Sequence, residues 1–261
     1  MSLEIGVEIW DSHCHMDDDL FAGDRAAVIG RARTAGVTTQ VVPAVSAATW
    51  PRLKAVCAAF DGLLPAYGLH PMYLAHHRDE HLTELARWLE AESPVAVGEC
   101  GLDYYVEGLD RDRQLDIFEA HIRLARDYDL PLIVHGRKAL DDVLKCVRRH
   151  PGVRGVAHSF SGSEQQARQL LDNGFLLGIG GPLTYPRARR LRRVVAAVPL
   201  EGLVLETDAP DQPVAGHQGV RNEPARVTDV LAAMAEVRGM AVAEVARATT
   251  ANARRLFSPR A

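Results

Sequence analysis

Val7-Glu8-Ile9-Trp10-Asp11-Ser12-His13-Cys14-His15 sets the frame for the rest of the chain. Val7 to Trp10 is β-prone. Side chains two apart on a strand share a face, so His13 and His15 point the same way while Cys14 points away. Two imidazoles on one face can grip one metal ion. A divalent ion takes four or more ligands, so this pair is a half-site whose partners lie elsewhere in the sequence.

Outward from that stretch, short apolar runs alternate with longer amphipathic ones. Asp24 is placed to cap a helix from Arg25 to Ala35 that Gly36 ends, and Thr38 to Val45 is the second strand. Trp50 to Phe60 reads as a helix, and Leu63 to Leu69 as a strand that terminates in His70-Pro71. Glu80 to Glu92 carries Leu82, Leu85 and Leu89 on one stripe, and Val95 to Gly98 leads into Glu99-Cys100-Gly101-Leu102-Asp103. Arg113 to Asp127 sets Leu115, Phe118, Ile122 and Ala125 on one side, and Pro131 to Val134 runs into His135-Gly136-Arg137. Asp141 to His150 is helical. Gly155 to Ala157 delivers His158, and Ser163 with Gln166 forms a capping box for a helix that Gly174 ends. Phe175 to Ile179 and Leu203 to Thr207 are the last strands, the second ending at Asp208-Ala209-Pro210. Pro224 to Val237 and Ala241 to Leu256 are helices.

Eight strands, each followed by a helical run, are what an α/β fold of the (β/α)8 TIM-barrel type requires. Their continuous apolar character suits a parallel sheet buried on both faces. A doubly wound open sheet is the alternative. The barrel is favoured because the polar residues gather at strand C-terminal ends, and only closure brings eight such ends around one mouth. No linker or composition shift divides the chain, so residues 1–261 read as one domain.

The composition, 47% hydrophobic and 25% charged over 261 residues, is globular and allows a large core. A net charge of -4 argues against an extended basic surface, so a nucleic-acid substrate would be gripped locally. Cys14, Cys57, Cys100 and Cys146 form no CxxC pair and read as free thiols of a reducing compartment. The start Met1-Ser2-Leu3-Glu4 is not a signal peptide, and no apolar run approaches the roughly 18 residues of a membrane span. A cytoplasmic monomer or weak oligomer with no membrane partner is therefore expected.

His13, His15, Glu99, His135, His158 and Asp208 all fall at predicted strand C-terminal ends, which puts four imidazoles and two carboxylates around one mouth. That is more than one ion needs. A carboxylate bridges two ions through its two oxygens, so the expected arrangement has Glu99 bridging. His13, His15 and Asp208 then sit on one ion, and His135 and His158 on the other. Two ions roughly 3.5 to 4 Å apart suit hydrolysis, because they acidify a shared water and neutralise both the attacking and the leaving oxygen. Asp208 is placed to accept the water's proton. A mixed nitrogen and oxygen site does not choose among Zn, Mn, Mg, Fe and Ni.

The series Asp11-x-His13-x-His15, Gly68-Leu69-His70-Pro71, Gly98-Glu99-x-Gly101-Leu102-Asp103, Leu130-Pro131-x-x-x-His135-x-Arg137, His158-Ser159-Phe160-Ser161-Gly162 and Glu206-Thr207-Asp208-Ala209-Pro210 resembles the TatD family, over essentially the whole chain. The resemblance implies a metal-dependent hydrolase of the amidohydrolase-like barrels, several of which are deoxyribonucleases with 3′ to 5′ exonuclease activity. It implies metal positions at the same six residues and a substrate-phosphate contact at His70. The expected substrate is DNA, at single-stranded ends. An amidohydrolase-like action on a small C–N or phosphoester substrate is the alternative, although Glu99 stands where many C–N hydrolases use a carboxylated lysine. A metal-binding scaffold without catalysis is a third reading, disfavoured by the intact ligand set. Gly136 and His121 depart from the family pattern, which has Ser or Thr and Gln there.

Other residues carry plainer expectations. Asp103 reads as a loop cap, and Arg137 as an ion-pair partner. Glu206 is either an orienter of a ligand or a buried acid paired with Arg or Lys. The basic run Arg187 to Arg193 reads as a solvated helix face, with nucleic-acid contact as the alternative. His76, His77, His81, His150 and His217 read as loop or exposed histidines without a role. Cys14 and Cys100 read as small buried hydrophobes.

Overall fold

The computed structural model describes residues 7–258. Eight strands, β1 (Ile9–Asp11), β2 (Val37–Pro43), β3 (Leu63–Tyr67), β4 (Ala96–Asp103), β5 (Leu132–Arg137), β6 (Gly155–Ala157), β7 (Phe175–Ile179) and β8 (Leu203–Leu205), form one sheet in sequence order. Every pairing is parallel. The two edges meet, because the Ser12 N–H donates to the Leu205 carbonyl at 2.9 Å and the Asp208 N–H to the His13 carbonyl at 2.9 Å. The sheet is thus a (β/α)8 barrel.

Around it run α1 (Arg25–Thr34), α2 (Trp50–Ala59), α3 (Asp79–Glu92), α4 (Arg111–Asp127), α5 (Leu140–Arg149), α6 (Glu164–Asp172), α7 (Arg189–Ala197) and α8 (Val227–Arg238), while α9 (Val242–Phe257) packs on β1 and β8. Period-two alternation divides the apolar residues into two cores. Val41, Ala66, Ala96, Ile133, Val156 and Val204 point into the barrel, where Ala253, Leu256 and Phe257 of α9 join them. Their neighbours Val42, Tyr67, Val97, Leu132, Leu203 and Leu205 belong to the outer core beneath the helices. The filled interior leaves the C-terminal mouth to polar side chains.

Departures from the expected boundaries have local causes. Thr207 lies beyond β8 because its N–H donates to the Asp11 carboxylate at 3.0 Å instead of to a neighbouring strand. His13 to His15 likewise lie just past β1, the His13 N–H bonding Asp11 at 3.2 Å. Asp24 does precede α1, but its side chain makes no cap bond; Arg221 holds its carboxylate at 2.7 Å. The capping box of Ser163 and Gln166 forms as expected.

Candidate metal centre

The β4–β5 ladder shifts register between Val97 and Cys100, and Glu99 sits in that break, its N–H donating instead to the Ala44 carbonyl at 3.1 Å. Breaks of this kind re-aim a side chain. Gly101, two residues on, has φ +128, and a Cβ there would stand 2.1 Å from the His135 carbonyl oxygen. Only glycine lets β4 approach β5 this closely. Glu99 is 1% exposed and aims both carboxylate oxygens into a cleft of about 580 Å³ at the mouth.

The structure brings the other six expected site residues together around that carboxylate. Oε2 lies 3.1 Å from His13 Nε2 and 3.7 Å from His15 Nε2. Oε1 lies 3.1 Å from His135 Nδ1, 3.4 Å from His158 Nε2 and 2.9 Å from His70 Nε2. Asp208 Oδ1 is 3.5 Å from both His13 Nε2 and His15 Nε2, and Gln212 donates to its other oxygen at 2.6 Å.

Hydrogen-bond partners assign the tautomers. His15 donates Nδ1–H to the Pro43 carbonyl at 3.2 Å, leaving a lone pair on Nε2. His135 donates Nε2–H to Asp103 at 2.9 Å, leaving Nδ1 open toward Glu99. His158 directs Nε2 at Glu99, with Glu206 Oε1 3.3 Å from Nδ1 but outside hydrogen-bonding geometry. His70 differs, since its Nδ1 accepts the Met72 N–H at 3.1 Å. Its Nε2 therefore carries hydrogen and faces the centre as a donor.

This donor set fits divalent metal. His13 Nε2 and His15 Nε2 stand 3.3 Å apart. Two imidazole nitrogens on one tetrahedral ion, each at about 2.0–2.1 Å, are separated by about 3.3 Å. Two sets, His13 with His15 and Glu99, and His13 with His158 and Glu206, have ligand atoms within 4.8 Å of one another; a third grouping, of Glu99 and His135 with His70, includes the ring whose Nε2 carries hydrogen. The charges agree. Burial works against ionising Glu99, yet the surrounding imidazoles of His70, His158 and His13 hold its pKa well below the usual range. Asp208, also buried, is pulled down by His158, His15 and His13. Burial opposes the charged form of His158 too, but Glu99, Glu206 and Asp208 raise it to about 10; His15 rises to about 9, chiefly against burial through Asp208. Among the described residues no Lys or Arg lies within 4.0 Å of these carboxylates. Positive charge must come from protons or from cations.

Several readings change. Asp103 is more than a loop cap: one oxygen holds His135 and the other accepts the Tyr105 and Val106 N–H groups at 2.8 and 3.0 Å. Burial resists, but His135 and these amides lower its pKa to about 2. Arg137 is not an ion-pair partner among the described residues; its guanidinium stacks 3.6 Å above the Tyr105 ring. Glu206 has no Arg or Lys partner among the described residues. It accepts the Ser159 N–H at 2.6 Å, and Gly178 makes room for it, since a Cβ there would stand 2.1 Å from Glu206 Oε2. His77 and His81 are buried, and His77 donates to the His70 carbonyl at 2.8 Å. His150 is half-buried, 3.1 Å from Glu119. The missed residue nearest the first motif is Asp11, fully buried, which accepts from Thr207 Oγ1 at 2.5 Å and so locks His13 beside Asp208. Its spacing two before His13 was the available signal, as was the spacing of Asp103 four after Glu99.

A (β/α)8 barrel with imidazoles and carboxylates gathered at its C-terminal mouth is a barrel of the metal-dependent hydrolase type. Residues 10–258 match the family model described as TatD related DNase, and the chain belongs to that family. It is 41% identical over 251 residues, 95% of this chain and 97% of the relative, to a protein of Escherichia coli strain K12 named "Uncharacterized metal-dependent hydrolase YjjV". A metal-dependent hydrolase of Haemophilus influenzae is 35% identical, covering 97% of this chain and all of the relative. The crystal structure of YjjV, a TatD homologue, superposes with a TM-score of 0.93 over 97% of this chain and 98% of that one. Among the described residues no helix is long and apolar enough to cross a membrane.

Proposed function

We propose that the chain is a two-metal phosphodiesterase acting on DNA, a 3′ to 5′ exonuclease that trims single-stranded ends. The observation that carries this reading is the division of Glu99: Oε2 faces His13 and His15, and Oε1 faces His135 and His158. A carboxylate that offers each oxygen to a different set of imidazoles could serve two ions at once. The name of the matching family model, TatD related DNase, supports the choice of substrate.

His13, His15 and Asp208 would hold one divalent ion, His135 and His158 the other, with Glu99 shared. When bound, such a pair supplies an acidified water and a positive clamp on the phosphate oxygens. The protein does the rest. Asp208 Oδ1, 3.5 Å from both His13 Nε2 and His15 Nε2, would accept a proton at this position, while Gln212 fixes the other oxygen. His70 Nε2–H donates to a phosphate oxygen of the substrate, its tautomer set by the Met72 amide. Asp103 keeps the His135 ring turned with Nδ1 toward the centre.

The test is turnover. Protein reconstituted singly with Zn, Mn, Mg, Fe and Ni is assayed on end-labelled single-stranded oligonucleotide, beside a panel of amides and phosphomonoesters. Shortening from the 3′ end is expected. Turnover of small molecules alone would end the nuclease reading in favour of amidohydrolase-like chemistry.

A further inference from the structure

The mouth is electrically lopsided. On one side the cleft is lined by Asp17, Asp18 and Asp211, with Arg52 already bound to Asp17 and Asp19. On the other side it continues past Gly136 and Ser161, which border both clefts, into a second cleft of about 510 Å³ lined by Arg111, Lys138, Lys145 and Arg190. Lys145 is bound to Asp142 at 2.7 Å. Arg111, Lys138, Arg190 and neighbouring Arg137 lie within 4.0 Å of no carboxylate among the described residues, and Arg190 donates to the Ser161 carbonyl at 2.6 Å, at the junction of the two clefts.

Tyr105 lines neither cleft but bridges residues of both: it is 51% exposed, with the guanidinium of Arg137, from the first, 3.6 Å and the ammonium of Lys138, from the second, 4.8 Å from its ring centroid. Exposed aromatic rings and guanidinium planes are the surfaces on which unpaired bases stack, and free cations beside them contact the backbone. Asp103, fully buried, holds His135 with one oxygen and the Tyr105 amide with the other, so the Tyr105 backbone is fixed relative to the centre.

We propose that Tyr105, Arg137, Lys138, Arg111 and Arg190 form a track for single-stranded DNA, leading away from the scissile phosphate over Tyr105 and into the second cleft. The base nearest the reacting nucleotide stacks at Tyr105 and Arg137, and the following phosphates meet Lys138, Arg111 and Arg190. The overall charge of -4 is no obstacle, because Arg137, Lys138, Arg111 and Arg190 stand together where the strand runs. This inference rests on the nuclease reading for its role, but the track is testable apart from it.

Binding of a fluorescein-labelled, phosphorothioate-linked twelve-nucleotide strand is followed by anisotropy, and kcat/KM is measured on unmodified strands of two and twelve nucleotides. Lys138→Glu/Arg190→Glu is expected to weaken binding about tenfold or more and to lower the slope of log K against log salt by at least one. Tyr105→Ala is expected to weaken it about tenfold. Arg87→Glu/Arg193→Glu, an equal change of net charge outside both clefts, should shift Kd less than twofold. The preference for twelve nucleotides over two should fall in parallel. Track variants that bind like the control pair, or a wild-type protein that does not bind the strand, overturn the track. Cleavage that persists while the track variants match the control leaves the nuclease reading standing alone. Track-dependent binding with no cleavage under any metal sinks the nuclease reading and keeps the track.

Discussion

His121 lies on α4, fully buried, and ties the site to the helical layer. Its Nδ1–H donates to the Ile117 carbonyl at 2.7 Å, and its Nε2 accepts the Leu69 N–H at 3.1 Å, one residue before His70. Accepting the Leu69 N–H through Nε2 requires the neutral ring, since a protonated ring has no acceptor nitrogen. Burial, above all, lowers its pKa to about 4 from an ordinary 6.5. A group whose folded pKa is depressed this way, and which is neutral when deprotonated, stabilises the fold fully above pH 6.5. That contribution is lost as pH falls from 6.5 through 4, because only the unfolded chain takes up the proton. The span of about 2.5 units is worth about 3 kcal/mol, of which about 2 kcal/mol disappears between pH 7 and pH 4.5. His121→Gln keeps an acceptor for Leu69 and removes the titration. At pH 7 it should cost about 1–2 kcal/mol, for one poorer hydrogen bond and looser packing. By pH 4.5 the gap should close or reverse, since the variant does not lose the ring's share. Urea unfolding of the EDTA-treated proteins at both pH values measures the gap; taking the difference cancels the other titrating groups. A gap that stays constant from pH 7 to 4.5 would refute the claim that His121 is held neutral.

Asp208→Asn should leave circular dichroism unaltered and lower kcat by about 10²–10⁴-fold, for loss of a proton acceptor; activity within threefold of wild type would remove Asp208 from that role. Asp103→Asn should weaken metal affinity about 10–100-fold, because His135 loses the anion that orients it; competition against a chelating dye gives the answer, and unchanged affinity would make Asp103 a loop cap only. Gly101→Ala should cost about 3 kcal/mol or more, from the positive φ and the approach to the His135 carbonyl. Thermal melting should then drop by roughly 10 °C, and a fall of under 2 °C would contradict the close approach of β4 and β5.

The barrel was readable because each strand is a short apolar run whose polar residues come at its C-terminal end, as in Leu132 to Arg137. His13, His15, His135, His158 and Asp208 reach the mouth for that reason alone. Glu99 arrives by a different route. Its direction depends on the register break after Val97, which appears only when β4 is laid against β5. Partners set by folding were equally hidden. Nothing local to Arg137 announces Tyr105, and nothing in Asp24 announces Arg221, nearly two hundred residues away. His77 reads in the sequence as a loop or exposed histidine without a role, because burial of a loop histidine depends on what covers it, here the turn that begins at His70. Spacing reports which side chains share a face; it does not report which backbone groups still need partners, and those needs place Asp11 and Asp103.

The central claim is that Glu99 joins two metal sites in one centre. Elemental analysis of wild type and Glu99→Gln, each dialysed against the same buffered divalent metal, tests it most directly. About two ions per chain are expected in the wild type, and fewer than one in the variant, because the amide keeps only one, neutral oxygen and can no longer serve both proposed sites. A wild type that binds a single ion, or a variant that keeps the full complement, would contradict the account.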